Sequence, residues 1–214
     1  MTAPGTAAVP LGALLLVAAV CCVRVAELSV ARRNTRWAAA HGGVEYGHRR
    51  YPLVIVLHTC LLAGLLLEVT LARRPFVPPV GWSAVAVLVL VQGVRGWCMR
   101  SLGPRWNTRI VVVPGLARVR RGPYRLLRHP NYCAVVLEGM ALPMVHTAWL
   151  TAVLFTVVNT VFLVSWARLE ERALALAASG CGSGAGRPLS PGRRGAGKAN
   201  GRSPRTVGSG RSVF

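Results

Sequence analysis

Residues 133–167 read CAVVLEGMALPMVHTAWLTAVLFTVVNTVFLVSWA, 35 residues that hold one charge, Glu138. A bilayer core about 30 Å thick takes roughly 20 apolar residues in a helix rising 1.5 Å per residue. The run is too long for one crossing but fits two short ones, with a break at residues 143–147 that forms a hairpin. Working outward, residues 7–23 carry no charge, residues 52–72 carry only Glu68, and residues 79–94 carry none. The pattern predicts an all-α integral membrane bundle of about five transmembrane helices. Composition agrees: 53% hydrophobic, 15% charged and a mean hydropathy of +0.46 leave too little polar surface for a soluble domain. The first charge is Arg24, so the first apolar run lacks the basic start of a secretory signal and is expected to persist as a helix.

The formal charge is +20, from 25 Arg and Lys198 against six Glu and no Asp. Such an excess points to nucleic acid or to a membrane surface. Because the basic residues lie between apolar runs, headgroups and cytoplasmic loops account for them, and no nucleic-acid partner is expected. In a five-span arrangement 24 of the 26 basic residues fall on one side. The positive-inside rule makes that side cytoplasmic, with the N-terminus outside and the C-terminus inside a bacterial plasma membrane. The cysteines Cys21, Cys22, Cys60, Cys98, Cys133 and Cys181 show no CxxC spacing, so neither a metal site nor a disulfide frame is expected.

Residues 179–214 change character. Gly, Ser and Pro make up 19 of the 36, seven are basic and none is acidic. Such a segment cannot bury a core. The chain therefore divides into a transmembrane domain over 1–178 and a Gly/Ser/Arg-rich tail over 179–214, expected to be disordered.

The stretch Gly122-Pro-Tyr-Arg-Leu-Leu-Arg-His-Pro-Asn-Tyr132 packs two Arg, a His, an Asn and two Tyr against the start of an apolar helix. Pro130 suits the first helical turn. The free N–H groups there, with Arg125, Arg128 and His129 beside them, would attract an anion at the interface; a basic juxtamembrane anchor is the plainer reading. Glu138 lies roughly 10 Å into that helix. A carboxylate at such depth marks either a functional group or an ion pair with Arg95 or Arg100. Glu170 and Glu171 follow the last span, where acids beside a basic, aromatic turn suit both ends of a zwitterion. Glu68 is expected to pair with Arg73 or Arg74. His58, inside the second span, is either a packed polar residue or a proton acceptor.

Gly122-Pro-Tyr-Arg-x-x-Arg-His-Pro-x-Tyr132, followed by an apolar hairpin and Glu170-Glu171-x-x-Leu174, resembles the isoprenylcysteine carboxyl methyltransferase family of integral membrane enzymes. Arg33-Asn34, Gly42-Gly-Val-Glu45, Leu102-Gly-x-x-Trp106 and Thr108-Arg109 look like its bacterial branch, whose members methylate alkylpyrones or alkylresorcinols. The resemblance implies S-adenosylmethionine as cofactor, bound in a cytoplasmic pocket, and an oxygen of a lipophilic small molecule or prenylated substrate as acceptor, met in membrane lipid without a metal. Carried over, Leu116, Val119, Tyr124, His129, Pro130, Asn131, Tyr132 and Glu170 would form the cofactor pocket. Arg109 and Arg168 would lie on the substrate side; the family often has Arg where this chain has Trp166, and Arg168 is the nearby cation. Glu138 or His58 would take the proton of a hydroxyl acceptor. A lipid-headgroup N-methyltransferase and a non-catalytic membrane scaffold are the rival readings.

Overall fold

The computed structural model describes residues 9–178 and 186–189. Five helices cover most of it: α1 Leu11–Ala40, α2 Tyr51–Leu71, α3 Pro78–Leu102, α4 Pro130–Met144 and α5 Trp149–Ala178. Four of them, α1, α2, α3 and α5, are long and apolar enough to cross a membrane. With 15 residues, α4 is the short member, roughly 22 Å long. Large apolar side chains cover the outside of the bundle, including Ile55 at 55% exposure, Val89 at 68% and Val161 at 69%. In water that surface would be untenable, whereas acyl chains solvate it. The protein is an integral membrane helical bundle.

Several boundaries run past those read from hydropathy. α1 does not stop at Val23; it continues through Arg24 and Glu27 to Ala40, because residues 24–40 hold no Gly or Pro and a paired charge does not break a helix. α3 likewise continues beyond Val94 through Arg95. Arg24 and Arg95 therefore belong to the bundle interior and not to the loops with which they were counted.

The hairpin breaks where expected. Pro143 lies in the last turn of α4, Thr147 takes a left-handed φ of 52°, and its hydroxyl donates to the Pro75 carbonyl at 2.8 Å. Gly139 lets the two arms approach closely, since a Cβ there would stand 2.3 Å from the Phe155 ring. At the same end of the bundle Glu68 reaches from α2 to the start of α5. Its carboxylate accepts from the Leu150 and Thr151 amides at 3.2 and 2.7 Å and from the Thr151 hydroxyl at 2.8 Å, and Arg74 pairs with it at 3.1 Å. It serves as a helix cap supplied from another helix. Glu68→Ala is expected to cost about 1–2 kcal/mol, read as a lower melting temperature in detergent; an unchanged melting curve would deny the cap any weight.

The opposite end carries a small sheet that sequence patterning does not reveal. β1 Val44–Tyr46 lies between β2 Ile110–Val112 and β3 Arg187–Pro188, antiparallel to both. Val44 faces Val112 and Tyr46 faces Ile110 on one side, and Glu45 faces Arg187 on the other. Of the segment expected to be disordered, residues 187–189 are thus paired, with the Leu189 amide donating to the Gly43 carbonyl at 3.0 Å. The reason is the unpaired edge of β1 and the absence of a side chain on Gly186, where a Cβ would meet Val44 at 2.3 Å. The remainder of that expectation lies outside the described residues. Beneath the sheet Tyr46, Ile110, Val112, Trp166 and Ala173 form a buried cluster, while Leu61, Leu65, Val69, Leu142 and Phe155 form another nearer the hairpin turn.

Candidate functional site

A cavity of about 530 Å³ lies between the two clusters. Its polar end is walled by Tyr124, His129, Asn131, Tyr132 and Glu170, and its apolar end by Val25, Leu28, Ile55 and Leu62 of α1 and α2. The cavity thus joins the loop end of the bundle to the lipid-facing gap between two helices.

The polar end is built on the start of α4. Pro130 occupies the first helical position and is fully buried; it fixes where the helix begins but does not border the cavity. His129 precedes it with extended-side backbone, so its ring turns back and stacks on Tyr132, with centroids 5.1 Å apart and planes 5° from parallel. Both rings meet the end of α5. The Tyr132 hydroxyl donates to Glu170 Oε2 at 2.6 Å, His129 Nδ1 lies 3.5 Å from the same oxygen, and His129 Nε2 lies 3.2 Å from Glu171 Oε1. The bond to Glu170 raises the His129 pKa above its ordinary value, against partial burial, so the ring holds its proton longer than a free imidazole. Burial pushes the Tyr124 hydroxyl up, keeping it neutral. Leu116 and Val119 border the same end.

The motif fragments scattered through the first half of the chain meet here. Asn34 of α1 donates to the Trp106 carbonyl at 2.7 Å and Asn107 donates to Thr35 at 2.7 Å, pinning the loop after α3 against α1. Arg109 pairs with Glu45 of β1 at 3.2 Å and lies 4.4 Å over the Tyr51 ring. It borders the cavity. Arg168 does not: it is exposed and outside the cavity. Trp166, Glu170 and Ala173 take the inward face of α5, and at 100° per residue position 168 points to the other side. That substrate assignment is corrected accordingly.

Glu138 and His58, the two residues considered as proton acceptors, have different surroundings. Glu138 is 4% exposed and belongs to a buried quartet with Arg24, Glu27 and Arg95. Arg95 spans both acids, with Nη1 3.0 Å from each Glu27 oxygen and Nη2 2.9 Å from Glu138 Oε2. Arg24 pairs with both acids too, and Gln92 donates to Glu138 Oε1 at 2.9 Å. Two guanidinium and two carboxylate groups cancel, which is how charge survives at membrane depth. Glu138 does not border the cavity, and saturated by three donors it holds structure instead of taking a proton. Glu27, which sequence reading missed, does border it, as do Arg24 and Arg95. His58 also lies on the cavity wall. Its Nδ1–H donates to the Val54 carbonyl at 2.8 Å, which fixes the tautomer and leaves the Nε2 lone pair free to accept.

The fold and the site together define a helical membrane protein with a cavity that runs from the loop end to the apolar side chains of α1 and α2. Residues 84–176 match the isoprenylcysteine carboxyl methyltransferase (ICMT) family. The uncharacterized protein YpbQ of Bacillus subtilis is 40% identical over 161 residues, 75% of this chain and 95% of that one. An uncharacterized protein of Haemophilus influenzae is 22% identical over 158 residues, 73% of this chain and 91% of its own. No solved structure matches. The chain belongs to the isoprenylcysteine carboxyl methyltransferase family, a family of integral membrane methyltransferases.

Proposed function

We propose that this chain is an S-adenosylmethionine-dependent O-methyltransferase acting on a hydroxyl of a lipophilic acceptor, in a bacterial plasma membrane with the sheet end cytoplasmic. The observation that carries the reading is one cavity whose polar end holds both acidic and basic side chains, Glu170 and His129, and whose other end is lined by apolar residues of α1 and α2.

The residues present fit the cofactor. Asn131 Oδ1 and Trp106 Nε1 are buried on the cavity wall with no partner among the described residues, which is costly unless a ligand completes them. Glu170 and Asn131 would take the donor's ammonium and hydroxyl groups, and His129 with the Asn131 amide its carboxylate. Tyr124, Tyr132 and the backbone at Leu116 and Val119 would flank the rest. When bound, S-adenosylmethionine supplies an electrophilic methyl group on a sulfonium.

The chain's own contribution is to bring the acceptor within attacking distance, exclude water and remove a proton. The gap between α1 and α2 admits the lipid tail, and His58 Nε2 accepts the proton as the hydroxyl oxygen becomes the nucleophile. A carboxylate acceptor would need no such base, and the neutral quartet at that end offers it no spare cation; both points favour a hydroxyl of the alkylpyrone or alkylresorcinol type. We assign catalysis to residues 1–178, with 179–214 an appended tail.

Membranes containing the protein, supplied with labelled methyl donor and an alkylresorcinol, should yield a labelled ether. Calorimetry on purified protein should detect donor binding, weakened in Glu170→Gln by about 1.5–3 kcal/mol. Wild-type affinity in that variant would remove Glu170 from the pocket, and absence of donor binding by the wild type would refute the reading as a whole.

A further inference from the structure

The described residues include seven buried side-chain atoms with no hydrogen-bond partner, and four of them, Arg95 Nε, Trp106 Nε1, Asn131 Oδ1 and Asn159 Nδ2, belong to residues on the wall of this same cavity. Of these four residues, Asn159 is the one on α5. It is 1% exposed, on a stretch of α5 whose other polar side chains are the hydroxyls of Thr156 and Thr160, and it precedes Glu170 by 11 residues, about 16 Å along the helix. It therefore lies far from the polar end proposed for the methyl donor. An amide in that setting forfeits its hydration and receives nothing in return, so the site keeps it for a ligand.

Its neighbours narrow the choice. Phe155 lies four residues earlier, on the same face of α5, and the His58 ring meets it edge-on with centroids 6.0 Å apart. His58 of α2 and Asn159 of α5 both line this cavity. The first offers a lone pair on Nε2 and the second an N–H without a partner. A head group carrying a hydroxyl and a second, hydrogen-bond-accepting oxygen completes both. A lone hydroxyl leaves the amide unmatched, and a carboxylate sets a negative oxygen against the imidazole lone pair.

We propose that Asn159 is a specificity-determining residue that donates a hydrogen bond to a second oxygen on the acceptor's head group, next to the hydroxyl presented to His58. The assignment rests on the acceptor occupying this cavity, as in the proposed function.

The test uses full-length protein in nanodiscs and two probes with the same tail, a pentadecylresorcinol and the matching pentadecylphenol, which differ by one ring oxygen. Binding is measured directly, without methyl donor. The wild type should hold the resorcinol about ten- to a hundredfold more tightly, and Asn159→Leu, close in size and suited to an apolar helix, should abolish that preference by weakening the resorcinol alone. Its melting temperature should equal or exceed that of the wild type, because an unpaired polar group has been removed. Equal or undetectable binding of both probes by the wild type, or a preference that persists in the Leu variant, would overturn the assignment. A separate product assay with donor present distinguishes the two readings. Discrimination without methylated product would sink the methyl-transfer reading and leave Asn159 as a binding determinant, whereas methylation of both probes at equal affinity would do the reverse.

Discussion

His58→Gln is expected to lower turnover by about 100-fold or more while leaving donor affinity intact. General-base removal of a hydroxyl proton contributes about 10²–10⁴ in rate. The Nδ1 bond to Val54 holds the ring in the tautomer whose Nε2 can take that proton. Gln preserves size and polarity but has no basic nitrogen, so a loss would report chemistry and not packing. The measurement is product formation per folded molecule, with the donor titrated separately. Unchanged turnover would return His58 to the ranks of packed polar residues.

The second large effect concerns stability. Arg95→Met removes the guanidinium that bridges Glu27 and Glu138 at 3.0 and 2.9 Å, leaving two buried acids to share Arg24. Breaking a buried ion pair from one side costs about 3–5 kcal/mol, enough to threaten a marginally stable bundle. Unfolding in detergent should show a much lower melting temperature, partly restored in Arg95→Met/Glu27→Gln because one orphaned charge goes with its partner. A melting temperature equal to the wild type's would mean that the quartet contributes nothing. Glu138→Gln belongs to the same experiment: it should lower stability and spare turnover per folded molecule, since Glu138 has no place on the cavity wall.

The helical hairpin was legible in residues 133–167 because a single charge over 35 positions leaves little choice but two apolar helices. The meeting of His129 with Glu170 was legible for a related reason: a hairpin returns the chain to the level at which it left. The quartet was not. Glu138 could be matched to Arg95, yet Arg24 and Glu27 looked like the start of a loop when hydropathy ended the first span at Val23. Helices end where the backbone loses its hydrogen bonds, and not where the first charge occurs. The sheet was hidden for want of length, as strands of two or three residues show no alternation to detect. Arg168 failed because its neighbour Trp166 faces inward and two residues along a helix is nearly the opposite direction. Asn159 passed as one more residue of a span, because its missing partner was not visible in the sequence.

The shortness of α4 has a bearing on the lipid around the protein. At 15 residues and roughly 22 Å it falls about 8 Å short of an average hydrocarbon layer. Bilayers meet such a deficit by thinning or by letting a helix end sink, and the end that carries His129 and Tyr132 is the start of the cavity's polar wall. Headgroups would then be drawn toward the level at which a ring with a long alkyl tail floats. On the proposed function, the membrane's own elasticity would bring the depth of the water-soluble donor and that of the oily acceptor together, so that turnover should vary with bilayer thickness.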